Sequence, residues 1–117
     1  MKPHDLGRLG EQLAVDYLGG CGLRILDRNW RCPDGEIDIV AVERQALVVC
    51  EVKARSGSTY GSPLEAIGVR KQARLRRLAV RWVIAHGVYY DEIRIDAVGV
   101  RRTPLDGFVV EHIRGVR

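Results

Sequence analysis

The sequence predicts an α/β fold, a mixed central sheet flanked by helices. Three observations carry that expectation. The hydrophobic pattern switches between helical and strand periods in the order helix, three strands, helix, two strands. Residues 47–52 are apolar on both faces, with Leu47 and Val49 on one and Val48, Cys50 and Val52 on the other. A strand apolar on both faces is central and covered twice. Two segments carry a one-sided apolar stripe, and two such helices cover the two faces of one sheet. The 117 residues contain no linker, repeat or low-complexity segment, so a single domain over 1–117 is expected.

The elements follow in order. Residues 5–19 form an amphipathic helix with Leu6, Gly10, Leu13, Ala14 and Tyr17 on one stripe, Asp5 as its cap, and Gly19, Gly20 and Gly22 at its end. Residues 23–31 read as a strand, and Pro33, Asp34 and Gly35 as a turn. Residues 36–43 and 47–55 form a hairpin around Arg44 and Gln45. A loop over 56–62 holds Gly57 and Gly61, where ordinary loop flexibility competes with close approach to a ligand. Pro63 suits the first turn of a second helix running to about Ala85 and stopping at Gly87. Leu64, Ile67, Leu75, Leu78, Ala79, Trp82 and Val83 make its buried stripe. Residues 93–100 and 108–113 are the last strands.

Composition excludes several classes. Nineteen basic and 15 acidic residues give a net charge of +4, which permits a polyanionic partner without demanding one. The cysteines Cys21, Cys32 and Cys50 are odd in number and form no CxxC pair, against a zinc ribbon or a redox motif. His4, His86 and His112 lack metal-ligand spacing, and no GxSxG or Walker-type loop is present. The start has no apolar signal region, and no apolar run is long enough to cross a bilayer; a cytoplasmic protein with no membrane partner is expected.

Chemistry concentrates at residues 35–55. Both strands of the hairpin carry acid where a core strand carries Val or Ile, and a buried carboxylate without a partner is costly. Glu51 and Lys53 share one face of their strand, and Glu36 and Asp38 share one face of the neighbouring strand. The Arg44–Gln45 turn brings Asp38 close to Glu51. Two carboxylates, with a backbone carbonyl near Val52, can grip Mg2+ or Mn2+, with Lys53 beside a scissile phosphate. An ExK triplet alone is weak, arising by chance roughly 0.4 times in a chain this long. Its place at the end of a doubly apolar strand is the stronger signal; an edge hairpin with solvated charges is the competing reading. Glu11 borders the first helix stripe, as a further metal ligand or a solvated glutamate. Lys71 falls inside the second stripe, where it either snorkels to water or meets an acid or phosphate. Arg70, Arg74, Arg77 and Arg81, with Arg76, give that helix a basic face, either solvated or able to hold phosphates. Trp30 is core by default, or a stacking surface.

These residues carry a resemblance. The chain resembles the YraN-like family of small bacterial predicted endonucleases: G-x-x-G-E-x-L-A at 7–14, Tyr17-Leu18, R-N-W-R at 28–31, G-E-I-D at 35–38, E-V-K-A-R at 51–55, the run from Gly61 through Glu65, Ala66 and Ile67 to Lys71 and Gln72, and Arg94-Ile95-Asp96. Cys50 and Ala54 depart from the residues usual at those positions. The resemblance implies a PD-(D/E)xK nuclease fold, with a restriction-endonuclease-like α-β-β-β-α-β core, similar to archaeal Holliday-junction resolvases. It implies Asp38, Glu51 and Lys53 as the catalytic set and Glu11 as a helical acid, with Glu36 and Lys71 at motif positions of less defined role and Arg55 on the nucleic-acid side. The expected activity is Mg2+- or Mn2+-dependent endonucleolytic hydrolysis of DNA, branched or damaged forms included. A homodimer suits an enzyme that cuts two strands. A non-catalytic nucleic-acid-binding module and a protein-interaction scaffold are the alternatives, since one fold hosts many functions.

Overall fold

The computed structural model describes residues 2–56, 67–105 and 107–116. The elements are α1 (Pro3–Gly20), β1 (Arg24–Cys32), β2 (Gly35–Glu43), β3 (Ala46–Ser56), α2 (Val69–His86), β4 (Glu92–Thr103) and β5 (Gly107–Ile113). The strands form one sheet in the order β1-β2-β3-β4-β5. β3 and β4 are parallel and the other pairs antiparallel, so the sheet is mixed. A parallel pair needs a crossover, and α2 lies in the connection between β3 and β4.

The doubly apolar β3 sits at the centre, as expected. Its Leu47 and Val49 meet Leu75, Leu78, Ala79 and Trp82 of α2, while Val48 and Cys50 meet Ala14 and Leu18 of α1. Leu47, Val48, Val49, Cys50, Ala14 and Ala79 are completely buried. Each large apolar side chain removed from water in this way contributes about 1.5–3 kcal/mol. α1 comes unusually close to the sheet at Gly10, where a side-chain Cβ would lie 2.6 Å from that of Ala54. Only a glycine permits that approach without displacement of β3.

Helix boundaries differ from the expectation in physical detail. Lys2, not Asp5, precedes α1 as its cap residue, and no side chain caps the helix; Asp5 lies in the first turn, where a negative charge favours the helix dipole. Ile67 is buried and Gly68 is extended (φ −78°, ψ 176°), so α2 begins at Val69 rather than at Pro63. Residues 57–66, which include Gly57, Gly61, Pro63 and Leu64, lie outside the described residues. Gly87 ends α2 in the left-handed region (φ 62°, ψ 38°), donating to the Ile84 carbonyl at 3.3 Å while Val88 donates to Val83. Neither α1 nor α2 is long and apolar enough to cross a membrane.

Candidate active site at the fork between β2 and β3

The β2–β3 ladder runs from Glu43↔Ala46 to Ile39↔Cys50. Beyond that point β2 continues along β1 to Gly35, and β3 continues along β4 to Ser56. The two strands therefore part, and the next residues of each, Asp38 and Glu51, flank the fork. β2 changes phase at the same place. Ile37 packs toward α2 and Ile39 toward α1, although strict alternation would put both on one face. Glu36 and Asp38, expected on one face by simple alternation, both border the same two clefts.

Parting the strands leaves the Val52 N–H without a strand partner, and Asp38 supplies one: its Oδ2 accepts that hydrogen bond at 2.9 Å. The second carboxylate, Glu51, is only 8% exposed and is met by the Lys71 ammonium reaching across from α2. Burial pushes the Asp38 carboxyl up to about 7, opposed by the Val52 hydrogen bond and reinforced by its hydrogen-bonded, like-charged neighbour Glu51 and by Glu11. Two carboxylates in contact disfavour double ionisation, and a divalent cation between them relieves that repulsion. Mg2+ commonly takes one or two protein carboxylates and completes its shell with water and phosphate oxygens, so this donor pair fits such an ion. Among the described residues no third carboxylate, imidazole or thiolate converges with them.

Asp38 lies between two open clefts. The α2-side cleft, of about 670 Å³, is lined by Asp38, Glu51, Lys53, Lys71, Arg74 and Glu36, among others. The α1-side cleft, of about 970 Å³, holds Glu11, Arg28, Asn29, Arg31, Glu36 and Asp38. Glu11 is not in the carboxylate pair. Its Oε1 accepts from Asn29 at 2.8 Å and from Arg28 at 3.2 Å. Asn29 reaches it from a left-handed backbone (φ 51°), a conformation asparagine tolerates better than most residues. Glu36 pairs with Arg31 at 3.1 Å. The Lys53 side chain makes no hydrogen bond or ion pair among the described residues, so its ammonium is available to an anion in the cleft.

The basic face of α2 divides. Arg74 donates to the Asp34 carbonyl at 3.4 Å, and Arg81 pairs with the Asp34 carboxylate, so both brace the β1–β2 turn at the cleft mouth. Arg76 donates to the Ile93 carbonyl at 3.3 Å. Arg70 and Arg77 are exposed, as is Arg55 at the end of β3.

The brace on Asp34 and the clamp on Glu11 were not foreseen from the sequence. Nor was a second polar cluster around Asp96 of β4, the residue paired with Cys50. There Asp96, fully buried, accepts from Arg94 (2.9 and 3.1 Å), His112 (2.8 Å) and the Gly115 N–H (2.9 Å), while Arg94 and Arg114 both donate to Glu43. The available signal was Asp96 itself, an acid inside an apolar strand.

The comparisons with known proteins converge. The profile of the uncharacterised protein family UPF0102 matches residues 10–100. A UPF0102 protein of Nocardioides is 53% identical over 111 residues, covering 95% of this chain and 90% of its own. One from Renibacterium salmoninarum is 52% identical over 112 residues, covering 96% and 95%. Another, from Acidothermus cellulolyticus, is 46% identical over 120 residues, covering 94% and 91%. With nearly its whole length matched in this way, the chain belongs to the UPF0102 family.

Proposed function

We propose that the protein is a metal-dependent endonuclease of the PD-(D/E)xK type that hydrolyses DNA phosphodiester bonds, with branched or damaged DNA as the candidate substrate form. The observation that carries this reading is the meeting of Asp38 and Glu51 at the fork, with Lys53 and Lys71 lining the same cleft. Asp38 and Glu51 are the residues that would hold Mg2+ or Mn2+, and the ion would supply charge neutralisation at the phosphate and a more acidic bound water. The chain's own groups do the rest. Lys53 offsets negative charge that grows on the phosphoryl oxygens and orients the attacking water. Lys71 neutralises Glu51 while the cleft is empty and becomes available to a phosphate once that carboxylate is otherwise engaged. Arg74 borders the same cleft on the α2 side, beside Lys71. A homodimer is the assembly suited to cutting two strands of one junction.

One observation favours a second reading. Lys71 already neutralises Glu51, which suits a nucleic-acid-binding module that needs no metal. Incubation with junction, flap and single-stranded DNA, with Mg2+ or Mn2+, separates the two. The nuclease reading expects products with the wild type that are reduced at least 100-fold in Glu51→Gln and Asp38→Asn. Salt-sensitive binding without products, unchanged in both variants, supports the binding module instead.

A further inference from the structure

A groove of about 700 Å³ runs between β1, an edge strand of the sheet, and the outer face of α2. Its apolar floor is Trp30 on the strand with Val80 and Ile84 on the helix, the latter two 47% and 73% exposed. Arg76, Arg77 and Arg81 stand around that floor, and among the described residues no carboxylate lines it. Asp34 meets the charge of Arg81 from outside, whereas Arg77 has no partner among the described residues. The groove adjoins the candidate cleft. Cys32 lines both, and the Asp34 that Arg81 grips also lines the cleft.

An occupant must offer an apolar face to the floor and negative charge to the rim. A duplex offers phosphates but keeps its base faces stacked inside. An unpaired strand offers both at each step, bases for the floor and phosphates for the guanidinium groups. The geometry points to this groove as a seat for unpaired nucleotides of the substrate strand, next to the cleft that holds Asp38 and Glu51. The inference deepens the nuclease reading and rests on it for the class of substrate.

The test needs no cleavage. In EDTA, the protein is titrated with oligothymidylate and with a blunt duplex of equal length while tryptophan emission is followed. Trp82 is nearly buried at 4% exposure, so Trp30 is the reporter. Oligothymidylate is expected to quench the emission saturably, more tightly at low salt, and the quench is lost in Trp30→Phe. The double variant Val80→Gln/Ile84→Gln, which keeps the charge, is expected to bind oligothymidylate on the order of tenfold more weakly. Arg77→Glu is expected to weaken it as well. Leu105→Gln, at a site 95% exposed on the β4–β5 turn, serves as the control and leaves it unchanged. Wild-type affinity in both groove variants overturns the inference. Quenching by a Glu/Leu-rich peptide with none by oligothymidylate also overturns it and makes the groove a peptide site. Because metal is absent, loss of binding in the groove variants sustains the inference even if no DNA is ever cut. Cleavage with an indifferent groove refutes the inference alone.

Discussion

Burial beside Glu51 lifts the Asp38 carboxyl to about 7 from its ordinary 3.8, and that shift has a sign that can be measured. In the unfolded chain the group ionises near pH 4; in the fold it keeps its proton until about 7. Between those values the native state binds more protons, so the contribution of Asp38 to stability is full below pH 4 and is lost as pH rises through 7. Asp38→Asn removes the ionisation while leaving an oxygen for the Val52 N–H. Urea denaturation in EDTA should find the variant more stable than the wild type at pH 8, on the order of 2–4 kcal/mol, with the gap closing toward pH 4. A gap independent of pH would show that Asp38 carries no such repulsion. Asp96 runs the other way. Burial pushes its carboxyl up, but hydrogen bonds from His112, Arg94 and Gly115 more than offset that and hold it below the usual carboxylate value. Its contribution is present above the unfolded pKa and is lost as pH falls through the lower folded one. Asp96→Ala leaves the Arg94 guanidinium without one of its two acids and the Gly115 N–H without an acceptor, and should cost about 3–5 kcal/mol in denaturant unfolding.

At the scale of elements, the close approach of α1 to β3 is the most restrictive contact. A Cβ at Gly10 would meet that of Ala54 at 2.6 Å, well inside van der Waals contact. Gly10→Ala should therefore destabilise by about 1–3 kcal/mol despite the better helix propensity of alanine. Ala54→Gly in the same chain should recover part of the loss, read as a positive coupling in a double-mutant cycle. Much at this scale was legible in the sequence. Period and punctuation gave the element order, because β3 is apolar on both faces and Gly87 stops α2 in a left-handed turn. Features decided by tertiary pairing were not. Where the β2–β3 ladder stops, how β2 changes phase at Asp38, and which cation meets which acid all depend on contacts between residues far apart in sequence. Lys71 showed its role early, since a lysine inside an apolar stripe must find an acid or the surface. Glu11 did not, because nothing local announces that Arg28 and Asn29 will close on it.

For the whole molecule, the net charge of +4 is modest, and two groups of basic side chains lie side by side. Lys53, Lys71 and Arg74 surround the cleft, and Arg76, Arg77 and Arg81 border the neighbouring groove. If nucleic acid lies along this side, each phosphate contact removed should lower the slope of log affinity against log salt by about one. Arg77→Ala is the cleanest single test, since Arg77 is exposed and has no partner among the described residues. A slope equal to that of the wild type would move the nucleic acid elsewhere. Asp38 and Glu51 come from two strands that part at the fork, and the proposed chemistry stands only if those two carboxylates share one ion. Calorimetric titration of Mn2+ into the wild type, Asp38→Asn and Glu51→Gln measures that directly. The wild type is predicted to bind the ion with an affinity that rises as pH passes 7, because Asp38 must give up its proton, and each variant to lose at least tenfold; binding that is indifferent to either substitution, or absent from the folded wild type at pH 8, would contradict the account.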